Sequence, residues 1–420
     1  MRIAFTTFGC KINQYDTDAM REAVAGSGNT IVPFDGDADV YVINTCSVTG
    51  KSDYQCRQAI RSAVRRKEGA RIIVTGCYAE TRPGEVRSIP GVTHVLGNRG
   101  KQDIVEYCTP PDRVPSPEER PGEPAGMRTR AVLKVQDGCD SRCTYCVVPL
   151  ARGGSRSVAP DAVRASFERY VAGAVPEVVV SGIHVGRYGQ DVVPPTSLGA
   201  LLHELVRNSG KTRIRLSSIE PGEVSREVAA LLGRGLCRHL HIPLQSGDDG
   251  VLRAMNRHYA AADYCGLVES LAKLVPGMAI GADVMVGFPG EGEREFENTR
   301  RLISELPITH LHVFSYSPRP GTPAAVMDKQ VPAGEKKTRN EILRLLGIKK
   351  NLEFRKGQVG MRLSVIIEEW IPGKGAIGLT DNYIRTTIPE AGPEQKGRTI
   401  ETIVREVREN DTLGDIYAIC

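Results

Sequence analysis

Six strand-like runs separated by helix-like stretches occupy the middle of the chain, and that alternation leaves few folds open. The runs are Ala131 to Gln136, Glu177 to Gly182, Arg213 to Ser218, His239 to Leu244, Ala282 to Phe288 and His310 to Ser315. Helical periodicity lies between them, in Pro160 to Ala172, Leu198 to Asn208, Glu223 to Leu232, Gly250 to Leu274 and Glu293 to Leu306. Strands that alternate with helices pair in parallel, since each crossover returns the chain to the same end of the sheet. Six such units predict a (β/α)6 partial barrel with its chemistry at the carboxyl ends of the strands.

Directly after the first run comes Cys139-Asp140-Ser141-Arg142-Cys143-Thr144-Tyr145-Cys146. Three thiols on one short loop read as a metal clip. A structural zinc site wants four ligands, and no histidine or fourth cysteine stands nearby, whereas thiolates so spaced suit an iron-sulfur cluster. With three thiolates on a four-iron cluster, one iron keeps an open position. The bland alternative is three buried structural cysteines, uncommon at such crowding.

The first 108 residues repeat a different device. Ile3 to Phe8 ends at Cys10, Val40 to Ile43 at Cys46 and Ile72 to Val74 at Cys77, with helix-like Gln14 to Ala25 and Asp53 to Lys67 between them. This order predicts an open parallel α/β sheet, whose carboxyl edge gathers functional groups. Cys10, Cys46 and Cys77, 36 and 31 residues apart in sequence, should therefore meet in space. Three thiolates would make a second cluster site, although strand-end cysteines are also common packing residues.

Residues 109–127 carry Pro110, Pro111, Pro115, Pro117, Pro121 and Pro124, too many for regular structure, and mark a linker between domain 1–108 and the barrel domain of 128–356. The latter ends in a basic helical stretch from 335 to about 356. From Gly357 to Cys420, short alternating runs broken by glycines (Arg362 to Glu368, Ala376 to Thr380, Tyr383 to Thr387, Thr399 to Val407) predict a small β-barrel, near the size where one core is marginal unless it docks on a neighbour. Small barrels beside basic helices can grip nucleic-acid backbones. The arginines Arg57, Arg61 and Arg65, four apart on one helix face, offer another such surface or an ordinary solvated one.

Eleven cysteines, an odd number, with no secretory signal argue against a disulfide framework and for metal or redox use. No run of about 18 apolar residues is present to span a membrane, so a cytoplasmic protein is expected. A net charge of +5 over 420 residues permits a nucleic-acid partner without demanding one. At the barrel mouth, Ser181, Gly182, Ser217, Glu220, Gln245 and Gly287 end successive strands; singly each is an ordinary turn residue, together they could line a nucleoside pocket. His239 and His241 share one strand face, and lacking cysteine or carboxylate partners in ligand spacing they read as interior packing or hydrogen-bonding groups rather than metal ligands.

The C-x-x-x-C-x-x-C spacing, with Tyr145 before the last cysteine, resembles the radical S-adenosylmethionine (SAM) superfamily. The whole chain is similar to its methylthiotransferase family: Gly9-Cys10, Asn44-Thr45-Cys46 and Thr75-Gly76-Cys77 come first, Asp137-Gly138-Cys139 to Cys146 next, and Thr380-Asp381-Asn382-Tyr383 falls in a C-terminal TRAM domain. The resemblance implies two 4Fe-4S clusters. One, on Cys139, Cys143 and Cys146, would chelate SAM in a pocket including Tyr145 and the six mouth residues. The other, on Cys10, Cys46 and Cys77, would carry the sulfur that is inserted. In this family one SAM methylates that sulfur, and another is cleaved to a 5'-deoxyadenosyl radical that removes the substrate hydrogen. Radical chemistry suits a C–H bond without useful acidity, which no side-chain base could activate.

Gly9-Cys10-Lys11-Ile12-Asn13-Gln14-Tyr15 and Ser217-Ser218-Ile219-Glu220-Pro221 resemble the branch that acts on threonylcarbamoyladenosine at tRNA position 37. Relatives that act on isopentenyladenosine tend to have Gln in place of Lys11. The threonylcarbamoyl carboxylate needs a cationic or polar clamp, for which Lys11, Arg152 and Arg156 are candidates. Leu150 and Gly154 depart from the aromatic and the arginine usual in relatives, which affects single contacts at the mouth and not the reaction class. Implied partners are a tRNA anticodon stem-loop, a flavodoxin- or ferredoxin-type reductant and a sulfur donor that the residues do not name. Competing readings are a methylthiotransferase for isopentenyladenosine or for a ribosomal protein, and an iron-sulfur RNA-binding protein without radical chemistry.

Reconstituted protein should hold about eight irons per chain. Replacing Cys139, Cys143 and Cys146 together by Ala should halve the iron and abolish SAM cleavage, whereas replacing Cys10, Cys46 and Cys77 should halve the iron and spare cleavage. Cys56, Cys108, Cys237, Cys265 and Cys420 should be dispensable. Full iron in either triple variant would sink the two-site reading.

Overall fold

The computed structural model describes residues 1–109 and 129–419, so all of the expected proline-rich linker except Thr109, and Cys420 as well, lie outside the described residues. The chain divides into two compact units. The first comprises the described residues of 1–127 together with 137–155 and 317–325. The second comprises the described residues of 128–136 with 156–316 and 326–420.

In the first unit, β1 (Arg2–Thr7), β2 (Thr30–Val32), β3 (Val40–Thr45), β4 (Arg71–Gly76) and β5 (His94–Val95) form one sheet in the order β2-β1-β3-β4-β5, parallel throughout. This is the expected open parallel sheet. β2 and β5, at three and two residues, were absent from the expected pattern. Helices α1 (Lys11–Gly26) and α2 (Gly50–Arg66) cross between strands, and α2 is capped by the Thr49 hydroxyl, which accepts from the Ser52 N–H. Both faces of the sheet are covered, as a parallel sheet requires: Tyr41, Ile43, Ile60 and Ile72 fill one core, and Ile3, Val40, Val42 and Ile73 the other.

The second unit contains the six strands of the expected partial barrel: β6 (Arg130–Lys134), β7 (Glu177–Ser181), β8 (Arg213–Leu216), β9 (His239–His241), β10 (Ala279–Val286) and β11 (His310–Ser315). They make two three-stranded parallel sheets, β8-β7-β6 and β9-β10-β11, connected by a parallel bridge between Ser218 and His241. The helix expected over 250–274 is two helices, Asp249–Ala254 and Ala261–Leu274. Asn256 between them takes φ +58°, a left-handed conformation that ends a helical run. Helix α4 (Ala333–Lys356) packs along β11. Two of its basic residues are internal struts: Arg339 is buried against Glu291, and Arg355 donates to the carbonyls of Arg408, Glu409 and Asp411. Lys337, Arg344, Lys349 and Lys356 remain exposed.

The C-terminal strands β12 (Arg362–Ile371), β13 (Gly375–Thr380), β14 (Arg385–Ile388), β15 (Thr399–Val407) and β16 (Thr412–Ile419) close into the expected small barrel, ordered β12-β13-β14-β16-β15. β16 was not foreseen because Gly414 and Asp415 interrupt its apolar alternation. The small barrel docks through a buried ion cluster. Glu177 is fully buried and accepts from Arg215 Nε and Nη2, both at 2.9 Å, and from Arg213 Nε at 2.7 Å. The same guanidiniums donate onward, Arg215 to the carbonyls of Thr380 and Asp381 and Arg213 to those of Ser364 and Leu379. Arg238 pairs with Asp381 nearby. A carboxylate on the base of one barrel thus aims two guanidiniums at the backbone of the other.

Burial pushes the Glu177 carboxyl up, but the Arg215, Arg213 and Arg130 guanidiniums outweigh it and hold the group at about 2, below its ordinary 4.5. A carboxyl lowered on folding stabilises above its unfolded value and loses that contribution as pH falls through its folded one. The difference amounts to about 3 kcal/mol, lost between pH of about 4.5 and about 2. In Glu177→Gln this pH-dependent component should be missing, and the variant should be destabilised at pH 7 by roughly 3–5 kcal/mol because buried arginines are left uncompensated. Denaturant unfolding of both proteins at several pH values measures each effect.

Candidate active site

β1, β3 and β4 run parallel and end level, so the residues just past them, Cys10, Cys46 and Cys77, lie at one carboxyl edge of the sheet, the convergence that their spacing predicted. Cys10 is the N-cap of α1, and Cys77 opens the short helix α3 (Cys77–Thr81). Burial, together with negative charge at Cys77 and Cys10, pushes the Cys46 thiol up to about 11. Two glycines make the approach possible. A Cβ on Gly9, at φ +103°, would sit 2.8 Å from Cys46 Cβ and 3.0 Å from its Sγ; one on Gly76, at φ +94°, would strike the Thr45 backbone at 2.4 Å.

The polar residues beside these cysteines form a buried scaffold. Asn13 Nδ2 donates to the carbonyls of Phe8 and Thr45, and Asn44 Nδ2 to the Asn13 carbonyl and the Thr17 hydroxyl. Thr45 Oγ1 donates to the Thr75 carbonyl at 2.5 Å. Beside Cys46, Ser47 Oγ and Asn44 Oδ1 are buried without a hydrogen-bond partner among the described residues, a cost that proteins rarely leave unmet.

The second trio lies in the same compact unit. Cys139 N–H donates to the Gly153 carbonyl at 3.1 Å and Cys146 N–H to the Cys143 carbonyl at 3.0 Å, while the Ser141 N–H points at Cys139 Sγ from 3.5 Å. Gly138, at φ +73°, is obligatory, since a Cβ there would fall 1.9 Å from the Gly154 carbonyl oxygen. Tyr145 is half-buried within this loop.

Arg152 ties the two cysteine loops together. Its side chain is 2% exposed. Nη1 donates to both Asp137 oxygens, at 3.0 and 3.1 Å, and Nη2 to Asn13 Oδ1 at 2.5 Å and Asp16 Oδ2 at 3.2 Å. Lys101 Nζ joins Asp16 Oδ2 at 2.7 Å. Asn98 Nδ2 spans the same ground, donating to the Ala151 carbonyl at 2.7 Å and lying 3.9 Å from Cys77 Sγ. Burial opposes the Arg152 charge, but negative charge at Cys77, Asp137 and Asp16 overrides it and holds the guanidinium well above its ordinary value. Burial lowers Lys101 despite the Asp16 contact. The expectation of Arg152 as a substrate contact is therefore corrected: its donors are engaged by protein acceptors inside the fold. Asn13, Asp16, Asn98 and Lys101 escaped the sequence reading, because only the fold brings residues some 85 to 139 positions apart into one cluster.

Lys11 is half-buried at the first turn of α1, and Arg156 is exposed in the second unit. Of the expected mouth residues, Ser181 and Ser217 are buried just at or past strand ends. Gly182 leaves room for the Gln136 side chain, whose Oε1 accepts from the His184 N–H. Glu220 is paired with Arg257, Gln245 takes φ +62°, and the Gly287 N–H donates to Glu291 at 2.7 Å. Arg57 leans onto Tyr78 and Glu85, leaving Arg61 and Arg65 exposed. Burial above all pushes the Cys56, Cys108 and Cys237 thiols up to about 12, as suits packing residues.

The residues present fit two clusters. Each trio offers soft thiol donors, glycines keep side chains off the thiols, and the buried Arg152 and Lys101 supply positive charge beside ligands that bind as anions.

Arg152→Leu leaves the partly buried Asp137 without its cation and Asp16 with Lys101 alone. It should lower the stability of the first unit by roughly 3–5 kcal/mol, and Arg152→Lys should recover only part of this because one ammonium cannot serve all four oxygens. Hydrogen exchange of amides in residues 1–108 and 137–155 measures the loss.

The uncharacterized protein family UPF0004 matches residues 2–97 and the radical SAM superfamily residues 133–303. The chain is 37% identical to the threonylcarbamoyladenosine tRNA methylthiotransferase MtaB of Bacillus subtilis, covering 98% of this chain and 99% of that protein. It is 33% identical to a tRNA-2-methylthio-N(6)-dimethylallyladenosine synthase of Streptomyces viridosporus, over 96% and 84% of the two chains. The radical SAM methyltransferase TsrM from Kitasatospora setae is similar in fold, with a TM-score of 0.57 at 15% identity over 77% of this chain and 75% of that one. With relatives so similar along its whole length, this chain belongs to the radical SAM methylthiotransferases, in their MtaB-like branch.

Proposed function

We propose that this enzyme converts N(6)-L-threonylcarbamoyladenosine at position 37 of tRNA to its 2-methylthio derivative, in the cytoplasm. The observation that carries the reading is the near full-length similarity to MtaB, supported by two cysteine trios within one compact unit. Its cofactors are two 4Fe-4S clusters and SAM, which when bound supply the reductive cleavage of SAM and the sulfur for insertion. In this reading Cys139, Cys143 and Cys146 hold the SAM-binding cluster and Cys10, Cys46 and Cys77 the auxiliary one. In the same reading Tyr145 belongs to the SAM-binding cysteine loop, and Ser181, Gly182, Ser217, Gln245 and Gly287 line a nucleoside pocket at the mouth of the partial barrel. Glu220 takes part while held by Arg257. A flavodoxin- or ferredoxin-type protein supplies electrons.

The protein's own contribution is positional. Arg152 fixes one cysteine loop against the other, and no side chain need act as base on the C–H bond being replaced. Lys11 and Arg156 are candidate cations for the threonylcarbamoyl carboxylate, as a charge-assisted contact to it requires. Domain 1–108 then serves as the sulfur-inserting domain, 128–356 as the radical SAM domain and 357–420 as a TRAM domain gripping the anticodon stem-loop, aided by the exposed cations of α4.

Two anticodon stem-loops, one threonylcarbamoylated and one isopentenylated, offered with SAM and reductant should yield methylthio product from the first alone, read by nucleoside mass spectrometry. Product from the isopentenylated substrate alone would reject the substrate while leaving the reaction class intact. Lys11→Gln should raise KM for the first substrate about tenfold with less change in kcat, since losing one charge-assisted pair costs about 1.5 kcal/mol.

A further inference from the structure

His239 and His241 read from sequence as interior groups without ligand partners; the fold supplies partners to His241. β9, β10 and β11 lie side by side, with His241 in register with Gly281 and Asp283 in register with His312. Their side chains share one face. Ile280, Ala282, Val284 and Val286 on the opposite face of β10 belong to the apolar core beneath the helices, so His241, Asp283 and His312 face the hollow of the partial barrel.

His241 Nε2 lies 2.9 Å and His312 Nδ1 3.3 Å from the same oxygen, Asp283 Oδ1, and all three ligand atoms fall within 4.8 Å of one another. Donors about 2.1 Å from a single ion at tetrahedral or octahedral angles stand about 3.0–3.4 Å apart. The two measured spacings are thus close to those of one face of a coordination shell. Gly281 makes room, since a Cβ there would sit 2.6 Å from His241 Nδ1. Exposure rises from 12% for the His241 side chain to 25% for Asp283 and 60% for His312, so the group is anchored at one end and adjustable at the other.

We propose that His241, Asp283 and His312 form a mononuclear site for a divalent transition ion of the zinc or ferrous class, separate from both cysteine trios. Two imidazoles and one carboxylate suit such ions rather than magnesium or calcium, which prefer all-oxygen shells. Three protein donors leave positions open toward the hollow, where an oxygen donor from a bound molecule can complete the shell. The proposal does not depend on which nucleoside the enzyme modifies.

Zinc is the probe. Cluster-loaded enzyme titrated anaerobically with Zn2+ against a chromophoric chelator should take up one zinc per chain while its iron content stays constant. X-ray absorption at the zinc edge should report nitrogen and oxygen neighbours without sulfur. Affinity should fall at least tenfold in His312→Ala, whose exposed side chain can be removed without disturbing the core, and likewise in the near-isosteric Asp283→Asn. The proposal is overturned if the wild-type enzyme takes up no zinc, if sulfur appears in the shell or iron is displaced, or if the folded variants bind zinc as the wild type does.

Discussion

The Arg152 guanidinium is the contact on which the arrangement of the site depends. It belongs to the cysteine-triad loop by sequence and to the N-terminal sheet by its contacts: Asp137 stands two residues before Cys139, and Asn13 and Asp16 three and six residues after Cys10. A buried cation shared among carboxylates leaves little freedom, because any displacement strands charges away from water. Chemistry that would bring a radical from one site and sulfur from another to the same substrate carbon requires a fixed separation, and an ion cluster in low dielectric holds one more firmly than apolar packing, which tolerates sliding.

A second buried ion cluster, around Glu177, does comparable work at the base of the partial barrel. A five-stranded barrel of some 60 residues has too little core to be robust alone, and here its carbonyls at Ser364, Leu379, Thr380 and Asp381 accept from Arg213 and Arg215. Those arginines are aimed by Glu177. Both junctions use the same device: planar guanidiniums whose several donors satisfy a carboxylate on one side and other acceptors on the other.

The placement of glycine follows from the same crowding. Gly9, Gly76 and Gly138 each stand where the chain turns with positive φ beside a cysteine-bearing loop, and each would collide with backbone or with a cysteine if it carried a Cβ. Ser47 and Asn44, whose buried side-chain oxygens lack partners among the described residues, flank Thr45-Cys46 at the same edge.

Much of this protein was legible before any coordinates, and the reason is periodicity. Apolar runs bounded by turn residues mark strands, so β1, β3, β4 and the six barrel strands were readable, although β8 and β9 are only four and three residues long in the fold, while β2 and β5 were not foreseen. Cysteine spacing identified both trios because ligand chemistry restricts residue type and strand exits restrict position. The sequence could not reveal that Arg152 would be consumed by Asn13, Asp16 and Asp137, or that His241 would find Asp283 and His312 on neighbouring strands. Those contacts join residues 15 to 139 positions apart in the chain, and no local pattern encodes a meeting that exists only once strand order and register are set. Sequence determined the elements and the cysteine positions; tertiary structure decided which charges are paired inside the fold, because pairing depends on strand order and register.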